Sequence, residues 1–178
     1  MVNAVVMKGA GDRALCAGGD VALLAKLNQE GKADESASYF ALEYKLDHLI
    51  ATYTKPYIAF MDGATMGGGV GLSAHAPFRI ATERTVLAMP ETRIGFFPEV
   101  GASFFLPRLD GALGRYLALT SENLRGVQAL YVLVFPYIPR ALSLTIFSTA
   151  TMASQLTTFT PHLYQTSNNV SEIGRAHV

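Results

Sequence analysis

The sequence predicts an α/β fold, and three observations predict it. Short apolar runs alternate with segments of helical period over residues 1–131. Two glycine clusters, Ala17-Gly18-Gly19-Asp20 and Met66-Gly67-Gly68-Gly69-Val70-Gly71, each lead into a segment with helical character. The charges keep to the same stretch, which holds 13 of the 14 acidic and 12 of the 14 basic residues.

Residues 4–7 are an apolar run ending in Gly9-Ala10-Gly11, which reads as a fully buried strand followed by a turn. Asp20 is placed to cap a helix over residues 21–28, because its carboxylate can accept from the free N–H groups of the first turn, and Gly31 stops it. A longer helix is expected over residues 36–53. Tyr39, Leu42, Leu46, Leu49, Ile50 and Tyr53 share one face at helical spacing, Glu43, Lys45 and Asp47 lie off it, and Lys55-Pro56 ends the pattern. Residues 57–61 form the next strand, closed by Asp62-Gly63. Past the second glycine cluster, residues 72–76 continue as a short helix. Residues 78–82 and 86–88 read as strands about a Glu83-Arg84 turn, and residues 103–120 are mostly helical with a break near Pro107.

Composition narrows the classes of function. The chain has 178 residues, half of them apolar, which suffices for one domain with a core. A formal charge of zero supplies no pull toward nucleic acid or an anionic membrane, so neither is expected as a partner. Cys16 is the single cysteine, which rules out an internal disulfide, and no Cys/His group has metal-ligand spacing. The first residues run into an apolar segment without the basic leader of a secretory signal or the Arg/Ser-rich helix of a transit peptide.

Residues 132–170 differ in kind. They hold no Asp, Glu or Lys, have Arg140 as the lone charge, and carry eleven Ser and Thr and three prolines without helical period. Pro136, Pro139 and Arg140 also break up any membrane span. Residues 132–178 are therefore expected to be an unrelated, disordered tail derived from a frameshift or an intron. Its end, Ile173-Gly174-Arg175-Ala176-His177-Val178, is what one reading frame of a sequencing adapter encodes.

The chemistry is carried by two carboxylates, Glu91 and Glu99, downstream of the glycine clusters. Glycine turns can bring bare N–H groups up to a carbonyl oxygen, and paired carboxylates can supply a nucleophile or base plus an orienting acid. Acyl transfer is the reaction class this points to. The same glycines also fit tight turns or close packing, and Glu91 also fits the start of a helix. Gly-x-Gly-x-x-Ala occurs at Gly9 and Gly69, but neither instance has the strand-to-helix context of a dinucleotide loop. Ser73 lacks the second glycine of a nucleophile elbow and reads as a packed helical serine beside a structural His75. Cys16 reads as a small buried residue, and Phe96-Phe97 as core or the wall of an acyl pocket.

The ordered set Lys8-Gly9-Ala10-Gly11, Cys16-Ala17-Gly18-Gly19-Asp20, Glu43-Tyr44, Lys55-Pro56-Tyr57, residues 63–73, Phe78-Arg79-Ile80-Ala81-Thr82-Glu83, Met89-Pro90-Glu91-Thr92, Gly95-Phe96-Phe97-Pro98 and Phe105-Leu106-Pro107-Arg108-Leu109 resembles the crotonase (enoyl-CoA hydratase/isomerase) superfamily. Within it the chain is most similar to the 3-hydroxyisobutyryl-CoA hydrolase branch, over about residues 2–131. The resemblance implies an incomplete crotonase-like ββα spiral core, truncated at both ends, that binds an acyl-CoA. It assigns the thioester oxygen to the peptide N–H groups of Gly19 and Gly68. It makes Glu91 the nucleophile or the base, Glu99 the stand-in for a substrate-positioning Asp, and Glu43 a substrate contact. Hydratases of the superfamily carry a further Glu just after the glycine cluster, where this chain has Gly71. Hydrolysis of the thioester in valine catabolism is thus expected, without metal or redox cofactor. Another acyl-CoA hydratase or isomerase, or an inactive acyl-CoA-binding fragment, is the alternative. By the same resemblance the location is mitochondrial in a eukaryote and otherwise cytoplasmic, and the full-length protein has scope to form homo-oligomers.

Overall fold

The computed structural model describes residues 2–134. Of the tail expected over residues 132–178, residues 135–178 lie outside the described residues. Residues 132–134 instead continue the helix that begins at Val127, with Val132 buried in the core. Strands alternate between two sheets as the chain advances. β1 (Val5–Met7), β3 (Tyr57–Met61) and β5 (Phe78–Ala81) form one parallel sheet, in the order β1-β3-β5. β2 (Ala14–Cys16), β4 (Ala64–Met66) and β6 (Val86–Ala88) form the parallel part of the other, and β7 (Leu124–Arg125) closes it antiparallel to β6. Each turn therefore contributes one strand to each sheet before a helix returns the chain, which is the ββα spiral expected.

The helices are α1 (Val21–Gln29), α2 (Ala33–Thr52), α3 (Gly68–Ala74), α4 (Ala102–Phe105), α5 (Leu113–Thr120) and α6 (Val127–Val134). Asp20 caps α1 as expected, its Oδ1 accepting from the Leu23 amide at 2.9 Å. The main core gathers Leu15, Met61, Val70, Leu87, Met89, Val100 and Phe105, and extends to Val132 on α6. Burying these side chains supplies most of the stabilisation, each full burial being worth about 1.5–3 kcal/mol.

Several expectations are corrected. β1 is not fully buried: Val6 is exposed, because the strand is the edge of a three-stranded sheet. β2 and β4 were not anticipated, and β4 runs straight into the second glycine cluster. The face of α2 is also different. Leu42 and Leu49 are exposed, while Ser36, Asp47 and Ile50 are the buried positions. Leu46, Ile50 and Tyr53 of the expected face do pack, in a small cluster with Leu72 of α3, while Asp47 lies against Gly71 of the same helix.

Candidate functional site

The site begins where β4 gives way to α3. Gly67 turns the chain there with φ +50° and ψ −119°, a conformation that side chains disfavour. Its amide donates to the Ala88 carbonyl at 3.2 Å, tying the end of β4 to the end of β6. Two residues after Ala88, Pro90 opens a single 3-10 turn, Glu91–Ile94, whose first residue is thereby carried back to the glycines.

Bare backbone is what lets the carboxylates approach. A Cβ on Gly67 would lie 3.0 Å from Glu91 Oε1, and one on Gly68 would lie 2.7 Å from Glu43 Oε1. The first glycine cluster reaches the same place: the Gly68 amide nitrogen is 3.5 Å from the Cβ position of Gly18, and the Gly19 amide nitrogen is 3.8 Å from that of Gly68. A Cβ on Gly19 would collide with the Tyr39 hydroxyl. Among the described residues, neither the Gly19 nor the Gly68 amide donates to a protein acceptor. Two N–H donors are thus free beside a carboxylate that is 5% exposed.

Four acids interact here. Burial, then the charges of Glu99 and Asp47, push Glu43 up to about 7. Burial and Glu99 push Asp47 up to about 7. Burial drives Glu91 up to about 7 as well, with Glu99 adding to it and a backbone hydrogen bond opposing it. Glu99 sits at the centre of this set, with its Oε2 accepting from the Val100 amide at 2.8 Å. Val100 itself has φ +41°, so the chain bends sharply just after Glu99. The tyrosines follow the same logic. Tyr39 rises to about 12 through burial and the Glu43 charge, and Tyr44 to about 12 through burial, the Glu99 charge and a hydrogen bond to Glu99.

The structure brings Gly19, Gly68, Glu43, Glu91 and Glu99 together. Sequence reasoning missed Asp47, which it set on the solvent side of α2. Asp47 is 5% exposed, with no partner for either carboxylate oxygen, and its Oδ1 lies 3.0 Å from the Cβ position of Gly71. The available signal was its spacing of four residues from Glu43, one turn along the same face.

Phe96 and Phe97 are not core. Phe97 is 61% exposed, and Phe96 stacks on Phe40 of α2 with ring centroids 5.8 Å apart, forming an aromatic wall beside the acids. Cys16 is half-buried, its sulfur accepting from the Gly18 amide. Ser73 is fully buried, its hydroxyl donating to the Gly69 carbonyl at 2.9 Å, and His75 Nε2 meets the Val100 carbonyl at 2.9 Å, so both are packed structural residues. A separate cavity of about 570 Å³ is lined by Pro98, Ala102, Leu106, Pro107 and Arg115 and by none of the four acids. Among the described residues no cluster of His, Cys, Asp and Glu has metal-binding geometry, and no helix is long and apolar enough to cross a membrane.

Comparison with known proteins adds to this geometry. The profile of the enoyl-CoA hydratase/isomerase family matches residues 1–160. The chain is 60% identical over 168 residues to small ribosomal subunit protein mS47 of Neurospora crassa, covering 93% of this chain and 32% of that one. It is 56% identical over 124 residues to the mitochondrial 3-hydroxyisobutyryl-CoA hydrolase of Gallus gallus, covering 68% of this chain and 31% of that one. Among solved structures, an enoyl-CoA hydratase from Rhodobacter sphaeroides superposes with a TM-score of 0.79 at 31% identity, covering 93% of this chain and 47% of that one. The chain thus spans about a third of the length of these curated relatives.

Proposed function

This chain belongs to the enoyl-CoA hydratase/isomerase family, and we propose that it is the core of a mitochondrial hydrolase that cleaves 3-hydroxyisobutyryl-CoA to 3-hydroxyisobutyrate and coenzyme A, as in valine breakdown. The observation that carries this reading is the placement of Glu91. It is buried, has a free Oε2, and stands against Gly67 beside two undirected amides. In this reading the Gly19 and Gly68 amides receive the thioester oxygen. As the carbonyl is attacked, charge builds on that oxygen, and preorganised donors are worth most at that moment. Loss of one such donor costs about 3 kcal/mol, or a hundredfold or more in rate.

Glu91 either attacks the carbonyl carbon, giving a mixed anhydride that water opens, or removes a proton from the attacking water. Both routes need its ionised form and end with the proton on the coenzyme A sulfur. Glu99 and Glu43 hold the acyl hydroxyl, and the Phe40–Phe96 wall covers the acyl chain. The extra methylene of Glu99 relative to Asp shifts the position of that contact, which affects acyl preference. No metal or redox cofactor takes part, and coenzyme A enters only as part of the substrate.

Release of free coenzyme A from 3-hydroxyisobutyryl-CoA by the full-length protein tests this reading, with crotonyl-CoA hydration run in parallel. Thiol release abolished by Glu91→Gln supports it. Hydration without thiol release points instead to a hydratase, and acyl-CoA binding without turnover to an inactive binding module. A second reading, a component of the small ribosomal subunit, is favoured by the extent of the likeness to mS47, which covers 93% of this chain. Co-sedimentation of the full-length protein with small subunits, alongside the thiol assay, separates the two.

A further inference from the structure

Hydrolysis as proposed leaves one buried acid unused. Asp47 is 5% exposed and neither of its carboxylate oxygens has a partner, and Glu91 Oε2, equally buried, shares that condition. A buried carboxylate without a donor or counter-ion is costly, so it either holds a proton or awaits a cation. Glu43 and Glu99 complete the group, and among the described residues no Lys, Arg or His forms an ion pair with any of the four. Burial first, and the charge of Glu99 in each case, raise Glu43, Asp47 and Glu91 to about 7, so near neutral pH protons neutralise part of a group that holds no cation.

The spacing suits a short acyl group. Glu91 faces Gly67, and Asp47 faces Gly71, four residues further along α3 and so about 6 Å along its axis. From a thioester carbonyl carbon to a nitrogen on the β-carbon is three bonds, roughly 4 Å, and one hydrogen bond adds about 3 Å. An acyl group with its carbonyl at the start of α3 therefore brings a β-substituent to the Asp47 carboxylate.

We infer that the acyl pocket takes and hydrolyses 3-aminoacyl-CoA thioesters, the substrate's ammonium group pairing with Asp47 and Glu99. This deepens the hydrolase reading and rests on it. A hydroxyl offers these acids one donor, whereas an ammonium offers three donors and the charge the pocket lacks. An acyl group with a carboxylate of its own adds a further negative charge and is rejected. The bonds changed are those of ordinary hydrolysis. Water supplies oxygen to the acyl carbon, the C–S bond breaks, coenzyme A leaves as the thiol, and the C–N bond stays intact.

The full-length protein is given 3-aminopropionyl-CoA, 3-hydroxypropionyl-CoA, propionyl-CoA and malonyl-CoA, and free thiol is read against an enzyme-free blank. The 3-amino substrate is expected to match or exceed the 3-hydroxy one in kcat/KM and to exceed propionyl-CoA about tenfold or more, while malonyl-CoA falls about a hundredfold below. Asp47→Asn should lower the amino-to-hydroxy ratio about tenfold. Cleavage of the 3-hydroxy substrate with the 3-amino one no better than propionyl-CoA overturns the inference and leaves the hydrolase reading standing, as does an unchanged ratio in Asp47→Asn. If that variant does not fold, the wild-type substrate series decides alone. Failure to cleave any of the four overturns this inference, and failure on 3-hydroxyisobutyryl-CoA as well, run as the reference, overturns the hydrolase reading with it.

Discussion

The acid limb of the pH profile is where the carboxylate cluster should show itself. An ordinary glutamate titrates near 4.5, so a base of that kind would be almost wholly ionised at pH 6. Glu91 is raised to about 7. At pH 6 only about a tenth of it is then ionised, and log kcat/KM should fall by about one for each pH unit below 7. Because Glu43 and Asp47 titrate in the same range, the midpoint belongs to the coupled group and not to one residue. Glu99→Gln separates the causes. Burial is the largest contribution for Glu91, and the Glu99 charge is a further one, so the variant's midpoint should drop below 7 yet stay well above 4.5. The assay is initial-rate thiol release from 3-hydroxyisobutyryl-CoA by the full-length protein and the variant, from pH 5 to 8.5. A profile flat between pH 5.5 and 8, or a midpoint unmoved in Glu99→Gln, would refute the account of how these acids interact.

Three further outcomes are expected. The folded-state values of Glu43, Asp47 and Glu91 lie above those of the unfolded chain, so their contribution to stability is fully present below about pH 4 and is lost as pH rises through about 7. Asp47→Asn should accordingly raise Tm by a few degrees at pH 8 and much less at pH 5, as read by thermal unfolding. Gly68→Ala places a methyl 2.7 Å from Glu43 Oε1, beside the amide, and should lower kcat/KM by tenfold or more, with Tm measured in parallel to separate activity from folding. Phe40→Ala removes the ring stacked on Phe96, a contact worth about 0.5–1.5 kcal/mol, and should raise KM severalfold while kcat changes less.

Much of the frame was legible because it rests on local rules. Residues 57–61 and 86–88 are apolar runs of strand length bounded by turn residues, and Asp20 is a helix cap by chemistry alone. β2 and β4 escaped because three-residue strands embedded among glycines have no period to detect. The face of α2 was legible only in part, for a physical reason. Ile50 is buried and Leu46 and Tyr53 pack beside it as the spacing suggests, but Leu42 and Leu49 are exposed, and the helix also turns the half-buried Glu43 and the buried Asp47 toward the site. Apolar periodicity cannot reveal a stripe selected for charge. The meeting of the two glycine clusters was likewise out of reach of spacing and came from the resemblance, whereas Asp47 had only its four-residue spacing from Glu43 to mark it.

The hydrogen bond from Gly67 to Ala88 fastens the glycine bend and the lead-in to Glu91 to the same sheet, whereas Glu43 and Asp47 arrive on a helix laid against it from outside. The two halves of the pocket thus have separate foundations. In the hydrolase reading, changes along α2 would therefore retune the fit of the acyl group while the Gly67–Glu91 half stays tied to the sheet.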